Sequence, residues 1–150
     1  MIIAVVNGPN LNLLGRREPA LYGRATLADV EARLTEVGAE LGVALRFVQR
    51  NGEGELIDAV HALGGVAAGA VVNAGAYSHS SLALRDALVG VALPFVEVHV
   101  TNVHAREPER RHSMLAPAAL GVVCGLGAFG YELALRGLVR RLAERGAPAA

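Results

Sequence analysis

The chain has 150 residues, of which 53% are hydrophobic and 19% charged, and its formal net charge is zero. This length suits one domain with a sizeable core, and the apolar content excludes a disordered chain. Zero net charge argues against a general binder of nucleic acid, which needs a basic excess. All 14 basic residues are arginine, so a mechanism that forms a Schiff base on lysine is excluded.

Continuous apolar runs, typical of strands that are buried on both faces, recur along the chain. They predict strands at residues 2–6, 44–49, 70–72, 94–100 and 121–124. Apolar residues at helical spacing lie between and after these runs, and they predict helices at residues 26–41, 56–63, 82–90 and 128–145. The alternation predicts an α/β, flavodoxin-like three-layer sandwich: a five-stranded parallel sheet in the order 2-1-3-4-5, with helices on both faces.

No repeat or linker interrupts this pattern, so residues 1–150 are expected to form a single catalytic domain with a flexible tail at about 146–150. The single Cys124 excludes an intrachain disulfide and fits a reducing, cytoplasmic location. The opening residues lack the basic segment of a signal peptide, and no apolar run approaches the roughly 18–20 residues of a membrane helix. We therefore expect neither export nor a membrane partner.

The segment at residues 6–23 is too long for an ordinary strand-to-helix turn of about 2–6 residues. It is rich in Asn, Gly and Pro, and it also carries Arg16, Arg17 and Tyr22. A long loop of this composition after a buried strand indicates a segment that grips a ligand, and residues 14–23 are predicted to form a mobile lid. In a sheet of the predicted order, ligands bind beyond the carboxyl ends of strands one and three, where the loops after strands one, three and four converge.

Two groups of side chains suggest acid–base chemistry in this cleft. Glu97 and His99 are two residues apart on a predicted strand, so they point to the same side. The carboxylate can fix the imidazole tautomer and keep the ring protonated, as a general acid requires; an inert strand pair is the alternative. Tyr22 is close in sequence to Arg17, and a nearby guanidinium stabilises the phenolate that could act as a base. An aromatic anchor for the loop is the alternative for Tyr22.

Polar residues elsewhere in the predicted cleft suit a polyol or a carboxylate. Asn73, Ser78 and His79 follow the third strand, and Asp86 is on the helix after them. Arginines at positions 106, 110 and 111 form a basic run after strand four, and one of them is expected to pair with a carboxylate in the cleft. The remaining histidines lack metal-ligand spacing and no cysteine set completes a site, so no metal is predicted.

The sequence GLGAFG at residues 125–130 matches the G-x-G-x-x-G pattern of dinucleotide-binding turns, and it lies between a strand and a helix. A dinucleotide site also needs an acidic ribose ligand about 20 residues on, at the end of a later strand. No later strand is predicted, so the pattern favours a tight turn with close helix packing. A flavodoxin-like module that binds a flavin or a nucleotide stays open as an alternative.

Several motifs together closely resemble type II 3-dehydroquinate dehydratase over essentially the whole chain. They are NGPNLNLLGRREPALYG at residues 7–23, EGELI at 53–57, NAGAYSHSS at 73–81, LRD at 84–86, EVHVTNVHARE at 97–107, RRHS at 110–113 and GLGAFGY at 125–131. The resemblance implies a flavodoxin-like fold, no cofactor and a dodecamer of four trimers. It also implies anti elimination of water from 3-dehydroquinate, through an enolate, to give 3-dehydroshikimate in the shikimate pathway towards chorismate and the aromatic amino acids.

The same resemblance implies a role for each matching site residue. Tyr22 would be the base that removes the proton next to the ketone, and Arg17 would support the phenolate and the transition state. Asn10 would hold a water that stabilises the enolate, and His99, oriented by Glu97, would protonate the departing hydroxyl. The residues implied to bind substrate are Asn73, His79, Asp86, Val100, Thr101 and Arg110. A non-catalytic assembly subunit that kept the fold is a third hypothesis, which the intact set of acid and base residues disfavours.

Overall fold

A computed structural model describes residues 1–146 of the chain, so the predicted tail lies outside the described residues except for Gly146. The five strands are β1 (Ile2–Asn7), β2 (Ala44–Gln49), β3 (Gly69–Asn73), β4 (Phe95–His99) and β5 (Gly121–Cys124). All neighbouring strands are parallel, and their order is β2-β1-β3-β4-β5. The predicted flavodoxin-like order is therefore confirmed. The chain adds β2 on one side of β1 and then adds β3, β4 and β5 on the other side, so the strand order reverses between β1 and β3.

The helices are α1 (Pro19–Tyr22), α2 (Leu27–Glu40), α3 (Glu53–His61), α4 (Tyr77–Ser80), α5 (Leu82–Gly90) and α6 (Phe129–Gly146). Two of them, α1 and α4, are single turns inside segments that were predicted to be loops. Such short helices bury too few residues to produce a detectable apolar period, so pattern reasoning misses them. Within residues 1–146, no helix combines the length and the apolar character needed to cross a bilayer.

The start of α2 follows from local chemistry. Thr26 Oγ1 accepts the Asp29 backbone N–H at 3.1 Å, and Asp29 Oδ2 accepts the Thr26 backbone N–H at 2.9 Å. This reciprocal capping box satisfies backbone donors that have no partner inside the helix. This cap at Thr26 ends the loop that begins after β1.

The core has two halves because alternate residues of each strand face opposite sides of the sheet. On β1, Ile3 and Val5 pack with α2 and α6, whereas Ala4 and Val6 pack with α3 and α5. All four side chains are fully buried. A strand covered on both faces reads as a continuous apolar run, which is why β1 was recognisable in the sequence. The arrangement is the predicted three-layer sandwich.

A network of charged side chains joins α2 to α6 on the outside of one helical layer. Glu132 is almost buried, and its carboxylate accepts hydrogen bonds from Arg33 at 2.9 and 3.1 Å and from Arg136 at 3.0 Å. Arg136 also reaches Glu40 on α2 at 2.5 Å. The hydrogen bonds from Arg33, followed by those from Arg136, hold the pKa of Glu132 below its ordinary value of 4.5. Lowering the pKa on folding means that the ionised carboxylate stabilises the folded state.

We predict that Glu132→Gln lowers the melting temperature at neutral pH and that this deficit shrinks in acid. The pKa of Glu132 in the folded state is below its unfolded value of 4.5. The carboxylate therefore stabilises the folded state fully above pH 4.5, and it does so progressively less as the pH falls through the folded-state pKa. Thermal unfolding of both proteins across this range measures the effect. Glu144→Gln is the matched control: within residues 1–146, Glu144 pairs only with Arg140 and Arg141 of its own helix, so this change is expected to alter stability little. A deficit that is constant with pH would contradict the prediction.

Candidate active site

The loops that follow β1, β3 and β4 form one cleft at the carboxyl end of the sheet. Asn7 and Asn73 are register partners at the ends of β1 and β3, and the Gly8 N–H donates to the Asn73 carbonyl at 2.8 Å. A Cβ at Gly8 would lie 2.2 Å from the Ala74 carbonyl oxygen, so only glycine lets these loops approach so closely. Most of the predicted site residues line this cleft: Asn10, Arg17, Tyr22, Asn73, His79, His99, Val100, Thr101 and Arg110.

His99 and Glu97 form a buried imidazole–carboxylate pair at the end of β4. His99 Nε2 lies 2.6 Å from Glu97 Oε1, and the two residues are 6% and 0% exposed. Their two-residue spacing places both side chains on one face of the sheet, as predicted. Glu97 is behind the imidazole and does not line the cleft itself. Because Nε2 is used by the carboxylate, Nδ1 is the ring nitrogen that can serve a ligand.

His79, on the short helix α4, stacks on His99. The ring centroids are 5.8 Å apart and the ring planes differ by 20°. Its Nδ1–H donates to the His112 carbonyl oxygen at 2.8 Å, which leaves Nε2 for the cleft. Burial lowers the pKa of His79, and the neighbouring His99 and Arg110 lower it further. With its proton on Nδ1, a neutral His79 presents Nε2 to the cleft as a hydrogen-bond acceptor for a ligand.

Tyr22, on α1, has two guanidinium groups beside it. Arg106 Nη1 donates to the Tyr22 hydroxyl oxygen at 2.8 Å. The guanidinium carbons of Arg17 and Arg106 are 5.3 and 5.4 Å from the centre of its ring. Two guanidinium groups therefore lie against one tyrosine side chain, and one of them also donates a hydrogen bond to its hydroxyl oxygen. The pairing of Tyr22 with Arg106 was missed by sequence reasoning, which placed Arg106 only in a basic run.

Asn10 is held at the floor of the cleft by its backbone. It adopts the left-handed conformation with φ of 67°, which Asn tolerates better than most residues. Its N–H donates to Asn51 Oδ1 at 3.0 Å, and Gln49 Nε2 donates to the same oxygen at 3.1 Å. The end of the edge strand β2 and the turn that follows it therefore support the loop after β1. With its backbone fixed in this way, Asn10 lines the cleft.

A buried hydrogen-bonded chain lies directly beneath Asn73. Asn73 Nδ2 donates to the Tyr131 hydroxyl oxygen at 2.8 Å, and that hydroxyl donates to Asn7 Oδ1 at 2.6 Å. Tyr131 comes from α6 and is fully buried, and burial raises its pKa, so it stays a neutral donor. One tyrosine thus ties the ends of β1 and β3 to the last helix and orients the Asn73 amide.

We predict that Tyr131→Phe lowers the free energy of unfolding by about 1–3 kcal/mol, because it leaves two buried amide groups without their shared partner. Denaturant unfolding at matched protein concentration measures the change. Tyr77→Phe is the control, since the Tyr77 hydroxyl donates to the Asn51 carbonyl at 2.7 Å in a more exposed setting. Equal losses in the two variants would show that the buried hydrogen bonds of Tyr131 stabilise the fold no more than the more exposed hydrogen bond of Tyr77.

Asp86 is the predicted site residue that the structure leaves away from the cleft. It is exposed on α5 and does not line the cleft of its own chain. Leu82 and Val89, which are three or four residues away and so share its helical face, are 55% and 58% exposed. Asp86 therefore lies within an uncovered apolar surface.

The glycine-rich sequence at residues 125–130 forms a tight turn, as predicted. Gly125 has φ of 84°, and a Cβ there would lie 3.0 Å from the Asn102 side chain. Its N–H donates to the His99 carbonyl at 3.2 Å, and the Gly127 N–H donates to the Val100 carbonyl at 3.0 Å. These amides are used to brace the segment after β4, so they are not available to hold a phosphate.

The cleft therefore contains a tyrosine beside two arginines and an imidazole that is hydrogen-bonded to a carboxylate. The first can remove a proton from a ligand and the second can deliver one, which is the requirement for acid–base elimination. In the described part of the chain, no three His, Cys, Asp or Glu side chains converge as metal ligands.

The chain resembles known proteins both in sequence and in structure. Residues 1–139 match the family model described as Dehydroquinase class II. A 3-dehydroquinate dehydratase of Gemmatimonas aurantiaca is 67% identical over 142 residues, which cover 95% of this chain and 93% of that relative. The crystal structure of a type II dehydroquinase from Butyrivibrio crossotus has a TM-score of 0.89 at 38% identity, covering 92% of this chain and 97% of the other. That from Propionibacterium acnes has a TM-score of 0.88 at 43% identity, with coverage of 93% and 96%.

Proposed function

The chain belongs to the class II dehydroquinase family, and on that premise we propose that it is a 3-dehydroquinate dehydratase. This hydro-lyase removes water from 3-dehydroquinate to give 3-dehydroshikimate in the shikimate pathway. One observation carries the proposal: two groups of side chains face the same cleft. Tyr22 lies beside two arginines, and His99 is hydrogen-bonded to Glu97. The reaction needs one proton removed and one delivered, and these two groups supply the base and the acid.

The first step is removal of the proton next to the ketone. Tyr22, as a phenolate stabilised by Arg17 and Arg106, takes this proton, and the electron pair moves onto the ketone oxygen to form an enolate. The two guanidinium carbons lie 5.3 and 5.4 Å from the centre of the Tyr22 ring, so their positive charge is in place when the base acts. Asn10 holds the water that donates to the enolate oxygen.

The second step is loss of the hydroxyl group. His99, as an imidazolium, donates the Nδ1 proton to the departing hydroxyl while the enolate collapses to the conjugated ketone, and water leaves. The imidazole that remains carries its proton on Nε2, where Glu97 Oε1 accepts it at 2.6 Å. The carboxylate thus selects the tautomer that makes Nδ1 the acid.

Substrate is held by polar groups around these two centres. The side chains of Asn73, His79, Thr101 and Arg110, together with the backbone at Val100, surround the space between Tyr22 and His99. Hydroxyl groups of the substrate suit the amide and the imidazole, and its carboxylate suits the arginine and backbone N–H groups. The chain's own acid and base complete the reaction, so we propose no cofactor.

Residues 14–23 act as a lid in this proposal. Leu14 is buried and anchors one end, whereas Arg17 and Tyr22, farther along the segment, line the cleft. Gly15 and Gly23 have positive φ of 86° and 81° near its two ends, where glycine permits a change of backbone direction. Closure of the lid would assemble the base with the acid. Slower hydrogen exchange across the segment with bound product is the expected signature, and unchanged exchange would contradict it.

We further propose that the chain assembles with copies of itself, as a dodecamer of four trimers. Exposed apolar side chains occur on α5 and around β5, where Val122, Leu126 and Phe129 are 46%, 54% and 57% exposed. Large exposed apolar surfaces mark protein interfaces. Packing of another copy against the outer face of α5 would carry Asp86 to a neighbouring cleft, where it would bind substrate. Sedimentation velocity of the purified chain tests the assembly, and a monomer would contradict it.

A cytoplasmic location completes the proposal. The single cysteine fits a reducing compartment, and a pathway that makes aromatic amino acids from small polar precursors operates where those precursors are produced. Fractionation of cells with an antibody to the chain tests the location, and recovery in an extracellular fraction would contradict it.

The decisive experiment mixes the purified chain with 3-dehydroquinate and records the absorbance of the conjugated enone, with no metal or nucleotide added. Steady production of the enone supports the dehydratase. A folded protein that produces none would overturn the proposal. A chromophore or nucleotide that copurifies with the chain would instead favour the flavin- or nucleotide-binding alternative.

A further inference from the structure

Ser113 lies against the buried Glu97 carboxylate, and none of the roles described above uses it. Its hydroxyl oxygen is 2.7 Å from Glu97 Oε1 and 2.9 Å from Oε2. Among residues 1–146, Ser113 and His99 are the only side chains hydrogen-bonded to this carboxylate. Glu97 is 0% exposed, and a buried carboxylate depends strongly on the few partners it has.

The direction of the Ser113 hydroxyl hydrogen follows from the other contacts of its oxygen. The Leu115 and Ala116 backbone N–H groups each donate to this oxygen at 3.1 Å. A serine hydroxyl has one hydrogen and two acceptor positions. Both acceptor positions are taken, so the hydrogen is left for Glu97, which can only accept. The loop therefore aims a single donor at the carboxylate.

The same loop also holds the second imidazole of the cleft. The His112 carbonyl oxygen accepts the His79 Nδ1–H at 2.8 Å, and the Met114 N–H donates to the Ser78 carbonyl at 2.8 Å. Three consecutive residues thus contact α4 on one side and Glu97 on the other. The segment at residues 112–114 is in position to orient both stacked rings.

We propose that Ser113 is a positioning residue for the acid of the reaction, an inference that rests on the proposed dehydratase function. Its hydroxyl holds the Glu97 carboxylate so that Oε1 receives the His99 Nε2–H, and this leaves Nδ1 directed to the departing hydroxyl. Without Ser113, the carboxylate loses one of its two side-chain partners and can rotate away from the ring. Loss of alignment of a proton donor lowers kcat on the order of ten- to a hundredfold, whereas substrate binding is unaffected since Ser113 does not line the cleft.

The test is a double-mutant cycle in the wild-type chain and in Glu97→Gln, with kcat and KM measured by enone absorbance. Ser113→Ala should lower kcat in the wild-type background while KM changes less than about twofold. It should lower kcat no further in the Glu97→Gln background, because the carboxylate through which it acts is gone. Ser113→Thr, which keeps the hydroxyl, should recover most of the lost turnover.

Ser81→Ala is the control that distinguishes a positioning role from the loss of a serine oxygen that accepts backbone N–H groups. Ser81 Oγ accepts the Leu84 N–H at 2.9 Å at the start of α5 and does not touch Glu97. This variant should lower the melting temperature and leave kcat unchanged. Full activity of Ser113→Ala, or an equal fall in kcat with and without Glu97, would overturn the inference while the dehydratase function stands. An inactive wild-type chain would overturn the proposed function, and the inference with it.

Discussion

Replacing Tyr22 with phenylalanine is expected to lower kcat by a factor of roughly 10²–10⁴, the usual contribution of a general base. Phenylalanine keeps the ring that contacts Arg17 and Arg106, and it removes only the oxygen that lies 2.8 Å from Arg106 Nη1. The fold should therefore survive, because Tyr22 is only partly buried and no other hydrogen bond to its side chain is present among the described residues.

Enone absorbance measures the loss, and circular dichroism with thermal unfolding verifies that the variant is folded. Proton exchange gives a second readout that does not depend on elimination. In D₂O the wild-type chain should exchange the hydrogen next to the ketone, whereas Tyr22→Phe should do so no faster than buffer alone. A variant with near-normal turnover would remove Tyr22 from the role of base.

The second large effect is expected at the acid. His99→Ala removes the only imidazole hydrogen-bonded to Glu97 in the described chain, and it should lower kcat by a similar factor of roughly 10²–10⁴. Hydroxide is a poor leaving group, so the enolate should form but fail to expel it. We therefore expect His99→Ala to exchange the hydrogen next to the ketone in D₂O without eliminating water, which is the opposite of the result for Tyr22→Phe.

In the part of the chain that the structure describes, His99→Ala leaves the buried Glu97 carboxylate with Ser113 as its one remaining side-chain partner, so the single variant is expected to be less stable. The double variant His99→Ala, Glu97→Gln removes that charge and serves as the folded comparison. It should be as inactive as the single variant but melt at a higher temperature. Substantial turnover by the double variant would contradict the assignment of His99 as the acid.

Much of the fold was predictable because its signals are local. The continuous apolar run of β1 arises from burial on both faces, and the Thr26–Asp29 capping box uses groups three residues apart. Glu97 and His99 were paired correctly because a period of two residues puts them on one side of a strand. The confirmed order of the strands then brings the loops after β1, β3 and β4 to one end.

Other contacts of the cleft were not predictable from patterns along the chain. Tyr22 meets Arg106 from 84 positions away, and Tyr131 meets Asn7 from 124 positions away. Ser113 is 16 positions from Glu97 and sits in a loop without regular periodicity. None of these pairs shares an element whose repeat could reveal it, and each depends on how loops close over the assembled sheet.

The amino-acid sequence by itself determined the strands, the main helices, the sheet order and the identity of the acid and base candidates. These depend on periodicity and on residue types within short segments, which set local conformation and the face that each side chain occupies. Only the tertiary structure decided which arginines flank Tyr22, which hydroxyls support Glu97 and Asn73, and that Asp86 faces outward from its own cleft. Hydrogen bonds act over about 3 Å, so such partners exist only once distant segments have been packed together.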